Sequence, residues 1–171
     1  MAQYLKSRLI KALIAHFGDD DRRIDHALAV TKWAERILEN EGGDEEIVLA
    51  AGLLHDVGIK EAEARFGYNT GKMQEEYGPP VACRILEEIG LAKEKIAEAC
   101  AIIGSHHTPE GIPGPDFSIL WDADMIVNLG DEMPEAEPEK LESIIEKNMK
   151  TRTGKELARK ALIHVKKTLY S

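Results

Sequence analysis

A histidine stands directly beside an aspartate at the end of the apolar run Leu53-Leu54-His55-Asp56-Val57-Gly58. Core packing would place leucine or alanine there, and a carboxylate buried without a partner is strongly disfavoured. Something positive must sit against Asp56, and a divalent metal serves. Three other places in the chain offer ligands of the same kind. His26 follows Ile24 on the inner face of a predicted helix, and His106-His107 ends another that Ile96, Cys100 and Ile103 lead at helical spacing. Asp122 and Asp124 lie inside Ile119-Leu120-Trp121-Asp122-Ala123-Asp124-Met125-Ile126-Val127, an apolar setting in which a free carboxylate needs a cation or strong donors. Imidazole and carboxylate together suit Zn, Fe, Mn or Ni better than Ca or Mg alone.

Helix geometry limits how these groups can meet. Adjacent residues on an ideal helix point about 100° apart. His55 and Asp56 can therefore share one metal only near a helix end, and Gly58 supplies that end. Asp122 and Asp124 differ by roughly 200° on a helix, so one of the two should face a metal.

The elements that must position them are helical. Leu5, Leu9, Leu13 and Phe17 form a first stripe ended by Gly18, and Ile24, Ala27, Val30, Ala34 and Ile37-Leu38 a second ended by Gly42-Gly43. Asp44 caps a third helix running toward His55. Further helices are predicted over Pro80 to Ile89, Lys93 to about His106, Phe117 to about Asp131, and Pro138 to Lys150. Thr153 with Glu156 reads as a capping box for the last, whose stripe is Leu157, Ala161-Leu162, Val165 and Leu169. Residues 59–79, rich in Gly and Pro, read as a loop with at most a short helix, and residues 108–116 as a proline-rich connection. No run alternates as a strand would. The fold class is all-α, a single domain over residues 1–171 built as a helical bundle.

Composition narrows the function. Of 171 residues, 43% are hydrophobic and 31% charged, enough apolar content for a real core. A net charge of −9 argues against nucleic acid as the main partner and against an anionic membrane. No apolar run approaches the roughly 18 residues that cross a bilayer, and the first residues lack a signal-peptide core. A cytoplasmic protein is expected. Cys83 and Cys100 have apolar neighbours and read as packed thiols.

His26, then His55-Asp56, then Asp124 resembles the H…HD…D signature of the HD-domain metal-dependent phosphohydrolases. The likeness runs from Arg23-Ile24-Asp25-His26 through Leu54-His55-Asp56-Val57-Gly58 and Ile103-Gly104-Ser105-His106-His107 to Trp121-Asp122-Ala123-Asp124. It implies a divalent metal (Mn, Fe, Ni, Co, Zn or Mg) held by His26, His55, Asp56 and Asp124, and it selects Asp124 over Asp122. It also implies hydrolysis of a phosphate ester on a small phosphorylated metabolite, often a nucleotide. Asp56, His106 and His107 are the catalytic candidates. Lys60, Arg65, Lys72 and Arg23, with Arg22, are the cations that could neutralise charge on a transferring phosphoryl group. Dinuclear members place a further histidine after the HD pair. Residues 59–80 hold none, with Glu75, Glu76 and Tyr77 in that region, so one metal is expected rather than two.

Plainer readings stand beside these. His26 alone would be a core histidine, His107 a hydrogen-bonded core residue, and the three loop cations ordinary solvated charges. His16 and His164 read as surface or helix-end histidines. The alternative to an enzyme is a metal-containing nucleotide-binding sensor that does not turn over, and a homodimer through an exposed helix face is a further expectation.

Overall fold

The computed structural model describes residues 1–164, and among these it contains nine α-helices and no strand. The helices are α1 (Ala2–Phe17), α2 (Asp21–Glu41), α3 (Glu45–Leu54), α4 (Gly58–Phe66), α5 (Gly71–Ile89), α6 (Lys93–Ile103), α7 (Pro115–Glu132), α8 (Pro138–Asn148) and α9 (Arg152–Ala158), followed by a π-helical turn over Arg159–His164. No helix among the described residues is long and apolar enough to cross a membrane.

Helix α3 is the centre of the bundle. Every residue from Ile47 to Leu54 is buried, as expected of a helix apolar on all sides. Around it pack α1, α2, α6 and α7, while α2 and α7 also pack along one another. That arrangement carries the end of α3, the inner face of α2 and the middle of α7 to one place. The starts are fixed by side chains: Asp20 accepts from the Arg23 amide, Asp44 from the Glu46 and Ile47 amides, and Thr70 from the Met73 amide.

Several sequence expectations need correction. Residues 59–79 are not a loop but α4 and the first half of α5, joined by a short turn. Glycine here marks close backbone approach rather than a break. A Cβ on Gly58 would lie 2.6 Å from the Gly78 amide nitrogen and 2.8 Å from the Gln74 carbonyl oxygen, so the approach of α4 to α5 at this point requires glycine. Helix α5 then runs through Pro79 and Pro80. Gly58 opens α4 rather than closing α3, which ends at Leu54 and leaves residues 55–57 as a turn. The last helix is capped by Thr151, which accepts from the Gly154 amide, and not by Thr153. Val165 and Leu169 of its predicted stripe lie outside the described residues. Cys83 and Cys100 are joined by a disulfide rather than packed as thiols. The α5–α6 hairpin brings their Cα atoms to 6.1 Å, within reach of a bridge.

Candidate metal centre

Leu54 is the last residue of α3, so the chain is already turning where it carries His55 and Asp56. That turn lets two adjacent side chains face one point. The Nε2 of His55 lies 3.5 Å from Asp56 Oδ2, and the Nε2 of His26, from the first turns of α2, lies 3.6 Å from the same oxygen. From α7, Asp124 Oδ1 approaches His26 Nε2 to 3.1 Å and His55 Nε2 to 3.6 Å. The two imidazole nitrogens are 3.3 Å apart. Four side chains from three parts of the chain thus converge, 98 residues separating His26 from Asp124.

The second aspartate of α7 does something different. Asp122 is fully buried and accepts from the Lys150 amide at 2.8 Å and from the Thr151 amide and hydroxyl, each at 2.7 Å. It anchors the turn between α8 and α9 and does not reach the centre.

Hydrogen bonds to ring nitrogens define which atoms are free. His55 Nδ1 donates to the Gly52 carbonyl at 2.9 Å and His106 Nδ1 to the Ile103 carbonyl at 2.7 Å, since a carbonyl only accepts. Each ring therefore turns its Nε2 toward the centre, oriented by backbone. His106 Nε2 is buried with no hydrogen-bond partner among the described residues, and it faces Asp56 Oδ1 at 3.5 Å. Asp56 is thus shared between two groups of ligand atoms. One is His26, His55 and Asp124, the other Asp56, His106 and His107, and within each the atoms lie within 4.8 Å of one another. The sequence predicts one metal, and the described residues offer a second group of ligand atoms beside the first.

Electrostatics favour positive charge here. Burial alone would depress the His55 pKa, but the Asp56 and Asp124 carboxylates outweigh it and push the imidazole up to about 9. Burial pulls the Asp56 carboxyl upward, yet His55 and His106 hold it below the usual carboxylate range, and His26 and His55 do the same for Asp124. Facing imidazole nitrogens and carboxylate oxygens, with an unpartnered buried nitrogen among them, form a donor set that fits a divalent transition metal.

The predicted cations are more scattered. Arg23 is bound to Asp20 and Glu63, both at 2.6 Å. Lys60 is exposed and donates to the His16 carbonyl. Arg65 is exposed, pairs with Glu61 and lies over the Tyr77 ring. Lys72 is exposed in the first turn of α5 and has no ion pair among the described residues, and its neighbour Gly71 touches the His107 ring. Arg22 is exposed. His107 is on the surface rather than in the core stripe. Gln74 holds its ring, and Glu75 accepts from its amide at 3.0 Å.

Two supporting groups escaped the sequence reading. His16, at the end of α1, is half-buried and its Nε2 donates to the Val57 carbonyl at 2.9 Å, bracing the turn that carries the HD pair. Gln74 is a buried polar residue facing His107. The signal for it was present: Gly71, Gln74 and Gly78 recur at the spacing of one helix face, a pattern of small and polar residues that marks close packing.

The family model of the HD domain matches residues 23–155. Among solved structures, a predicted HD superfamily hydrolase from an uncultured Thermotogales bacterium superposes with a TM-score of 0.71 at 25% identity, over 95% of this chain and 87% of that one. An HD-superfamily hydrolase from Bacillus thuringiensis superposes with a TM-score of 0.67 at 20% identity, over 99% of this chain and 95% of that one, a likeness of fold. No curated protein matches the chain.

Proposed function

The chain belongs to the HD-domain family of metal-dependent hydrolases, and on that premise we propose that it is a phosphohydrolase acting on a small phosphorylated metabolite, with nucleotides the first class to test. The observation that carries this reading is the convergence of the His26 and His55 Nε2 atoms with one oxygen each of Asp56 and Asp124 at 3.1–3.6 Å. His55 is sealed from solvent, while the His26, Asp56 and Asp124 side chains keep 14–17% of their surface open. One edge of the cluster is therefore accessible to water and substrate.

These four residues would hold a divalent cation, which supplies an acidified water and polarises a phosphoryl oxygen. The remaining work belongs to the side chains. The Gly52 carbonyl fixes the His55 ring, and His16 braces the turn behind it, so the ligand atoms keep their spacing. The Ile103 carbonyl fixes the His106 ring, so that its bare Nε2 is presented as a donor atom beside Asp56 Oδ1. Lys72 is the cation we assign to substrate phosphate, because Arg23, Arg65 and Lys60 are already engaged.

The test is phosphate release by purified protein across a nucleotide and sugar-phosphate panel, with Mn added or chelator present. Chelator-sensitive release from one class establishes the reaction and its substrate together. Metal-loaded protein that binds a nucleotide tightly and releases nothing from the panel is instead a sensor.

A further inference from the structure

A chain of polar side chains runs from α2 to the edge of the metal centre. Arg23 Nη2 donates to Glu63 Oε1 at 2.6 Å, and Asn69 Nδ2 donates to the same oxygen at 2.7 Å. Gln74 Nε2 donates to Asn69 Oδ1 at 2.7 Å, and Gln74 Oε1 meets His107 Nε2 at 2.6 Å. The direction of this chain is forced from one end. Glu63, paired with Arg23, can only accept, so Asn69 must offer it the NH2 group and present its oxygen to Gln74. Gln74 must then offer its own NH2 to Asn69 and present its oxygen to His107. An oxygen only accepts, so His107 Nε2 carries the proton. A nitrogen carrying a proton cannot bind a metal, and the lone pair His107 has to give is on Nδ1.

The first turn of α5 grips the same residue on two more sides. Glu75 Oε1 accepts from the His107 amide at 3.0 Å and from the Thr108 hydroxyl at 2.8 Å. The His107 ring lies against Gly71, where a Cβ would come within 2.8 Å of its Cγ. An exposed histidine that served only the surface would not be fixed at its backbone, its ring face and its ring nitrogen together.

We propose that Gln74, set by the Arg23–Glu63–Asn69 chain, is a positioning residue that fixes His107 as the Nε2–H tautomer so that its Nδ1 joins Asp56 and His106 as ligands of a second divalent cation. The inference rests on the metal-centre part of the reading above and not on the reaction. It assigns α5 a place at the centre without a histidine of its own: the helix contributes the group that aims His107 rather than a ligand.

Two measurements decide it. In the chelated protein, nitrogen-15 NMR of the imidazole rings should show His107 with a protonated Nε2, slow to exchange with water, and a bare Nδ1. Calorimetric titration with Mn should then show two binding events in the wild type. Gln74→Met, which keeps the volume and removes the acceptor, should weaken one event by about 10–100-fold and leave the other in place. Asn69→Ala, in the α4–α5 turn and touching neither ligand group, should act in the same direction and serves if Gln74→Met does not fold. A protonated Nδ1 on His107, a single Mn event in the wild type, or two unchanged events in both variants would overturn the proposal. If phosphate release fails while these results hold, the hydrolytic reading falls and this one stands.

Discussion

The Asp56 carboxylate lies 3.5 Å from the Nε2 of His55, its immediate neighbour in the chain, at the 55–57 turn between the end of α3 at Leu54 and the start of α4. On an unbroken helix the two side chains would diverge by about 100°. The turn is held by the His16 bond to the Val57 carbonyl and by the tight contact of Gly58 with α5, so both side chains are carried on a braced junction between two helices.

Among the described residues, Asp56 is the one whose two oxygens face both ligand groups. Asp56→Ala should therefore strip metal more completely than loss of any single histidine, with affinity down by at least about 100-fold. Metal analysis after dialysis against a weak chelator reads this directly. Unchanged metal content in a folded variant would require the whole assignment to be abandoned.

Asp122 and Asp124 should separate stability from metal binding. Asp122→Asn keeps the size but turns an acceptor of three bonds into a partial donor, and should cost about 1–3 kcal/mol in urea unfolding with metal content retained. Asp124→Asn should instead lose metal, and in the chelated protein it also gives up what its pairing with His26 and His55 contributes, so metal content is what tells the two variants apart. Equal effects of the two on metal content would contradict the division of labour.

Gly58→Ala tests the close contact of α4 and α5. Its Cβ would press on the backbone of Gly78 and Gln74, atoms that cannot move aside as a flexible side chain can. A loss of about 1–3 kcal/mol is expected by chemical denaturation. Because Gln74 and the turn after Asp56 both border the contact, activity should fall as well, and a variant as stable as the wild type would count against it.

What the residues revealed in advance follows from the kind of constraint each obeys. The stripes Leu5-Leu9-Leu13-Phe17 and Ile24-Ala27-Val30-Ala34 are visible because a helix half in water must alternate at its own period. His55-Asp56 is visible because a charged pair at the end of a buried helix has no packing reason to exist. The α4–α5 hairpin was hidden, since Gly58, Gly78, Pro79 and Pro80 signal breaks when read locally, whereas the glycines serve an approach between helices far apart in logic though near in sequence. The choice between Asp122 and Asp124 needed the family pattern, because phase alone separates them without saying which faces inward. The Glu63–Asn69–Gln74 chain was hidden for another reason. Its residues are ordinary polar types, and their meaning lies in which atom of each faces the next.

The pH dependence of the centre should depend on whether metal is bound. In the chelated protein His55 has a pKa raised to about 9, against about 6.5 in an unfolded chain. A group raised in the folded state stabilises fully below its unfolded value and loses that contribution as pH rises through the folded one. Stability on the order of 1–3 kcal/mol should therefore drain from the chelated protein between about pH 6.5 and 9. Asp56 and Asp124 are lowered, so their contribution is present at neutral pH and lost only on acidification below the usual carboxylate range. A bound cation replaces the His55 proton as the positive partner of the two carboxylates. Metal-loaded protein should accordingly keep its melting temperature across the same alkaline window, and metal binding at pH 7.5 should release about one proton. Thermal melts at pH 6.5 and 9 with and without chelator measure the first, and calorimetry in two buffers of different ionisation enthalpy measures the second. Melting curves that fall equally with and without metal would show that the proton and the cation do not compete for His55.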